Sequence, residues 1–169
     1  MKHNLLLFFL MVFVLTVGVV DAQAIAKDNA NKDTKQFRYD IECAGNGTNG
    51  TYLVKVWSYS RKVNVAENQA RKNAVHGVIF KGFGSSNDCV GQRPLAKNPG
   101  VEIENQTYFD SFFADGGEFQ KYASIVNGTM ETVKVGKEYK VGVVVAVQKD
   151  ELRRALEAAG IIKALNAGF

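Results

Sequence analysis

His76 is one of two histidines in the chain, and the other, His3, lies at the extreme N-terminus. An imidazole at position 76 could act as a general base if a nucleophile lay within hydrogen-bond reach and a carboxylate oriented the ring. Ser85, Ser86 and Cys89 are nucleophiles of the right type, and Asp88 is a carboxylate in the same stretch. No G-x-S-x-G elbow surrounds them, so the residue types are present without the turn that exposes a nucleophile. The plainer reading is a surface or second-layer histidine. A second constellation is formed by Glu102, Glu104, Asp110, Asp115 and Glu118 around Tyr108, Phe109, Phe112 and Phe113. Two carboxylates across a cleft could act as acid and nucleophile on a glycosidic bond, with aromatic rings stacking on the sugar. That makes the Asn105–Tyr122 segment the centre of one alternative, a small carbohydrate-binding protein or glycoside hydrolase. The plainer reading leaves the carboxylates solvated and the aromatic stripe in the core.

Other chemistries fail on spacing. Gly82-Phe83-Gly84 follows a helical pattern instead of a strand and lacks a third glycine, so it does not read as a dinucleotide turn. The loop Gly45–Gly50 lacks the G-K-[ST] ending of a phosphate cradle. There is no C-x-x-C, H-E-x-x-H or EF-hand loop, and two histidines exclude a site of three imidazoles. No cofactor and no metal site is expected. The net charge of +4 is mild and its Lys and Arg residues are scattered, with doublets only at Arg71-Lys72 and Arg153-Arg154, so no phosphate-tracking stripe and no nucleic-acid partner is expected.

The N-terminus bears on where the protein works. Leu5 to Val20 is an apolar run, interrupted only by Thr16, preceded by Lys2 and followed by the small residues Ala22 and Ala24. This is the pattern of a cleaved signal peptide over residues 1–22, and the mature chain is expected to begin at Gln23 or Ile25. The competing reading is a retained anchor, since a run of sixteen residues falls slightly short of a membrane span. Residues 23–35 read as a flexible polar leader and 36–169 as a single domain. Export to the periplasm or beyond puts Cys43 and Cys89 in an oxidising compartment, where a lone pair reads as a disulfide. Four N-x-T sequons begin at Asn46, Asn49, Asn105 and Asn127, and three of them double as turn chemistry.

Those residues must be positioned by the elements around them. Strict alternation over Phe37–Ala44 predicts a strand with Phe37, Tyr39, Ile41 and Cys43 inward and Arg38, Asp40 and Glu42 outward. A hairpin loop leads to a second strand, Thr51 to Ser60. Asn64 is expected to cap a helix to about Lys81, with Ala66, Ala70, Ala74, Val75, Val78 and Ile79 in one apolar sector and Asn73, His76 and Phe80 outside it. A loop over 82–100 and a short helix over 105–114 follow. The last third reads as strands over 123–126, 130–135 and 139–148 and a helix from Asp150 with Leu152, Ala155, Leu156 and Ala159 inward. A three-residue turn at Gly136–Glu138, pairing Val135 with Tyr139 and Val133 with Val141, keeps apolar positions together, whereas a two-residue turn would pair Val133 with Lys140. The fold class is α+β: an antiparallel sheet with helices packed on one face, in the order β-β-α, insert helix, β-β-α.

The stretch TYLVKVWSYSRKVNVAENQARKNAVHGVIFKGF, Thr51 to Phe83, joins an aromatic strand to an alanine-rich helix. It resembles small envelope domains of the flagellar-assembly T-protein N-terminal kind and their outer-membrane lipoprotein relatives. The chain as a whole is similar to uncharacterised secreted proteins of Bacteroidetes. The envelope resemblance implies a non-catalytic part of a cell-envelope assembly and brings no catalytic residues with it. The lipidated cysteine of the lipoprotein members is missing here, so membrane anchoring through it does not carry over. In the second strand Leu53, Lys55, Trp57 and Tyr59 share one face, richer in aromatics than a solvated face requires. That face is the expected binding surface for a protein partner in the envelope or for a second copy of the chain. The alternative is that the second half of the chain, or the Tyr108–Phe113 helix, covers it.

Overall fold

A computed structural model describes residues 37–86 and 89–165. The signal peptide and leader expected over 1–35, and Asp88, lie outside the described residues. Strand β1 (Tyr39–Gly45) and strand β2 (Thr51–Ser60) form an antiparallel hairpin. Its turn is built by Asn49 (φ 52°) and Gly50 (φ 73°), with the Thr51 N–H bonded to the Thr48 carbonyl at 3.1 Å. Two successive positive φ values are what a type I′ turn requires, and an Asn-Gly pair tolerates them best. Helix α1 (Val63–His76) follows and continues as a π turn over Gly77–Lys81. Helices α2 (Val101–Glu104) and α3 (Gln106–Phe112) and a 3₁₀ turn (Glu118–Tyr122) make up the insert. Strands β3 (Ala123–Ile125), β4 (Glu131–Val135) and β5 (Glu138–Gln148) and helix α4 (Lys149–Ala158) complete the described chain. All these elements belong to one compact unit, Arg38–Phe169.

The sheet is antiparallel with the order β1-β2-β5-β3, and β4 also pairs with β5. The fold class expected from the sequence is therefore found. β2 and β5 form its centre, aligned from Thr51 opposite Gln148 to Ser60 opposite Tyr139. Val54 and Val56 of β2 and Val141, Val143, Val145 and Val147 of β5 are fully or almost fully buried under α1. Ala66, Ala70 and Ala74 of α1 are completely buried, and their small side chains let the helix approach the strands closely. Each fully buried valine is worth roughly 1.5–3 kcal/mol relative to exposure, so this layer dominates the stability.

Three features depart from the sequence reading. First, α1 starts one residue before Asn64, with Lys62 at its N-cap and no side-chain cap. Lys62 N–H instead donates to Ser60 Oγ at 3.3 Å, so the tight exit from β2 sets the start. Second, Asn73 and His76 lie outside the apolar sector yet are buried, 2% and 5% exposed: Asn73 faces the sheet, where its amide donates to Ser58 Oγ at 2.8 Å, and His76 is covered by Phe113 and Glu102 of the insert. The chain beyond the π turn also completes the helix end, with the N–H groups of Leu95 and Ala96 donating to the carbonyls of Val78 and Ile79. Third, β4 and β5 are joined by a two-residue turn, pairing Val135 with Glu138 and Val133 with Lys140. The expected three-residue turn rested on keeping apolar faces together. All of β4 is exposed, so no burial enforces that register, and Gly136 (φ 61°) at the first turn position suits a two-residue connection.

β3 and β4 are not a hairpin with each other. They lie end to end along the same edge of β5, β3 opposite Val145–Val147 and β4 opposite Glu138–Gly142. Thr129 closes the gap between them: its hydroxyl accepts from Val144 N–H at 3.1 Å and donates to the Val126 carbonyl at 2.6 Å.

Candidate functional site

Alternation along β2 divides its side chains between two environments. Val54, Val56, Ser58 and Ser60 point under α1 and are buried, whereas Leu53, Lys55, Trp57 and Tyr59 are half-buried on the opposite, open face. The helix carrying Tyr108 to Phe113 does not cover them. It packs on the other layer, where Phe109 meets Phe80 at 4.9 Å and Phe113 meets His76 at 5.7 Å between ring centroids. The second half of the chain extends the open face sideways through β5 and β4.

The cross-strand neighbours of this face are mostly charged. Trp57 sits opposite Asp40 on one side and Gly142 on the other. Its Nε1–H donates to Glu42 at 2.8 Å, and Lys55 Nζ lies 4.5 Å from its ring centroid. Lys55 also pairs with Glu131 of β4 at 2.7 Å. Tyr59 donates to Asp40 at 2.8 Å, and Lys140 lies 3.1 Å from the same carboxylate and 5.4 Å from the Tyr59 ring. The bond from Tyr59, joined by Lys140, holds the Asp40 carboxyl below its usual range. Arg38 pairs with Glu138 and lies 5.1 Å from the Tyr59 ring. Two aromatic rings are thus framed by carboxylates and ammonium groups in alternation. Exposed pairs of this kind add little stability individually. Together they hold both rings in fixed orientations, a rigid aromatic centre with a polar rim.

Sequence reasoning found the β2 residues of this face but not Asp40, Glu42, Lys140, Gly142 or Glu131 as their companions. The one local signal was Gly142, a glycine inside an apolar strand, which often marks a close approach. A Cβ at position 142 would lie 2.6–2.8 Å from atoms of the Trp57 ring. Gly142→Val is expected to lift the indole off the sheet at a cost of about 1–3 kcal/mol. Trp57 is the only tryptophan, so a red shift of intrinsic fluorescence checks this directly. An unchanged spectrum would mean that the ring does not rest on Gly142.

The sequence's other candidates are placed elsewhere. His76 does not meet Ser85, Ser86 or Cys89. Ser85 Oγ accepts from Gly91 N–H, Ser86 Oγ reaches the Cys43 carbonyl at 3.4 Å, and Cys89 is in a disulfide with Cys43. That disulfide is the expected one, with Cα atoms 6.0 Å apart. His76 instead links Tyr39 to Glu102: Tyr39 O–H donates to Nδ1 at 2.6 Å, and Nε2–H donates to the Glu102 carboxylate at 3.0 Å. The tautomer follows from the carboxylate, which can only accept. Burial, aided by Lys81 and Lys72, lowers the His76 pKa to about 3. Burial also pushes the Tyr39 phenol far up and raises the Glu102 carboxyl. With Tyr39 and His76 both about 5% exposed, the chain Tyr39–His76–Glu102 acts as a structural tie between β1, α1 and the insert.

The aromatic helix likewise turns inward. Phe109, Phe112 and Phe113 are buried and pack on one another and on Tyr122 and Phe119, while Tyr108 and Tyr122 are half-buried. Glu104 lies near Asn98 and Glu118 pairs with Lys121, while Asp110 and Asp115 are exposed. A polar cavity of about 410 Å³ lies between the β1–β2 turn and the start of α4, lined among others by Asn49, Asp150 and Arg154. Among the described residues no helix is long and apolar enough to cross a membrane. The chain matches no family model, no curated protein and no solved structure. The functional reading is therefore built on the open face alone.

Proposed function

We propose that this chain is an exported, non-catalytic interaction module, a component of a cell-envelope assembly, and that it binds a protein partner through Leu53, Lys55, Trp57 and Tyr59. The observation that carries the reading is the position of these four half-buried side chains on the face of the central strand that no described helix covers. A core role would have placed them beneath a helix. Trp and Tyr ordered by charged neighbours supply large contact area at small entropic cost, which is the make-up of an interface centre. The Cys43–Cys89 bridge supports export, because such bonds persist in oxidising compartments.

The double variant Trp57→Ser, Tyr59→Ser tests this reading. It is expected to stay folded, losing much less than the roughly 3–5 kcal/mol that each buried aromatic truncation costs. Proteins captured from an envelope extract by the immobilised wild type, and equally by Gln120→Ser on a remote exposed site, should be lost by the double variant. Equal capture by all three chains would overturn the assignment of this face. Unfolding of the double variant would do so as well, because it would make the rings part of the core.

A further inference from the structure

We propose that the outer edge of β4 pairs antiparallel with β4 of a second copy of this chain, joining the two sheets into one. β4 is a full strand that pairs with β5 on one side only among the described residues, and all five of its residues are exposed. Val133 and Val135 are 49% and 51% exposed, and Met130, just before the strand, is 53% exposed. Edge strands that stay monomeric are usually very short, bulged, covered, broken by proline or guarded by charged side chains, lysine above all. Among the described residues β4 has no proline and no register shift, all five of its residues stay exposed, and its charges are limited to Glu131 and Lys134.

The ladder geometry restricts the registers open to a partner strand. In a two-residue hairpin the closing pair, here Val135 and Glu138, exchanges both backbone bonds, and bonded pairs then alternate with non-bonded ones. Val133 with Lys140 and Glu131 with Gly142 are therefore bonded pairs, so Glu131, Val133 and Val135 direct their backbone groups at β5. Val144 fits the same parity, sending its N–H to Thr129 and its carbonyl to Val126 N–H on this edge. It follows that Thr132 and Lys134 present their N–H and C=O groups outward. A second β4 can satisfy all of them at once if Thr132 of each copy faces Lys134 of the other. That register forms four backbone hydrogen bonds and places Val133 against Val133 on the twofold axis. Glu131 falls opposite Val135, so no like charges are directly opposed. Shifting by two residues in one direction sets Lys134 against Lys134 across the ladder, which charge repulsion disfavours. The edge is thus self-complementary in hydrogen bonding and sets no like charges directly opposite, which favours a second copy over an unrelated peptide.

A ladder of this length lies at the small end of specific interfaces, below about 1,200 Å², so the dimer should dissociate on dilution. Sedimentation equilibrium of the mature chain, carried to about 500 μM, is expected to show a monomer–dimer equilibrium. Thr132→Pro removes an outward N–H at an edge position that tolerates proline and should abolish the dimer. Val133→Lys, which leaves the backbone untouched, should abolish it too. Val133→Cys should cross-link to itself under mild oxidation, since facing Cα atoms of a non-bonded pair lie about 4.5 Å apart. Val135→Cys, equally exposed, should not, because its counterpart is four residues away along the ladder, roughly 13 Å. Trp57→Ser, Tyr59→Ser should leave the dimer intact, which separates this test from that of the open face. A chain monomeric throughout, a dimer indifferent to Thr132→Pro and Val133→Lys, or equal cross-linking at 133 and 135 would each overturn the proposal.

Discussion

Replacing both Cys43 and Cys89 with serine is expected to cost the folded chain about 4 kcal/mol, and treating the wild type with excess reductant should cost the same. The bridge spans a sequence separation of 46, and closing a loop of that length in the unfolded chain is worth about 4 kcal/mol in the chain-entropy account. Its Cα separation of 6.0 Å falls inside the relaxed range of roughly 4.4–6.8 Å. Among the described residues the loop's direct contacts with β1 are few: Ser86 Oγ makes a long contact with the Cys43 carbonyl. Its other ties run to β2, where Tyr52 donates to Gln92 at 2.8 Å and packs edge-on against Phe83, and to the end of α1 through Leu95 and Ala96. Urea titrations of the oxidised, reduced and serine forms check the prediction, and the melting temperature should fall by more than about 10 °C. A serine form within about 1 kcal/mol of the oxidised wild type would show that other contacts hold the loop.

Mild acid should destabilise the chain through His76. The folded ring titrates near 3, against an ordinary value of 6.5, because it is buried among Tyr39, Phe80 and Phe113 with Lys81 and Lys72 nearby. As pH falls, the unfolded chain takes up the proton first. The contribution of neutral His76 is therefore complete above pH 6.5 and is lost progressively on the way down to pH 3. The whole displacement corresponds to about 5 kcal/mol. Glu102 offsets part of it in two ways. Its carboxylate sits 3.0 Å from Nε2 and would attract a charged ring, and its own raised pKa works in the opposite sense. We expect the wild type to lose about 2–3 kcal/mol more than His76→Gln between pH 7 and pH 4. Denaturation series on both chains at those pH values provide the measurement. Parallel curves would mean that the buried imidazole is not what acid attacks.

The division between what was legible in the sequence and what was not follows the range of the interactions. The β1 and β2 alternation, the alanine stripe of α1 and the inward Leu152 and Leu156 of α4 rest on periods of two or 3.6 residues, and the β1–β2 loop on its Asn and Gly residues. Local sterics and burial of one face set these periods, so they were readable from the chain alone. The same alternation put Leu53, Lys55, Trp57 and Tyr59 on one face, and the pairing of Cys43 with Cys89 followed from there being two cysteines. The burial of His76 was not readable, because α1 is covered on a second side by an insert that lies far along the chain, and that of Asn73 was not, because it rests on a bond to Ser58 across the helix–sheet interface. Nor was the Tyr39–His76–Glu102 tie, whose members come from three separate elements.

Long-range pairing decided the rest. Placing β5 beside β2 brought Lys140 and Gly142 to the aromatic rings, and the Lys55–Glu131 contact required β4 to align on β5. Apolar matching across the β4–β5 turn argued for the wrong register, because it assumed a buried face where the fold left an exposed arm. Residue pattern determines which way a side chain points from its own strand. Only the packed chain determines what lies there, since strand partners and covering layers are chosen by the total burial of the whole unit and not by any one segment.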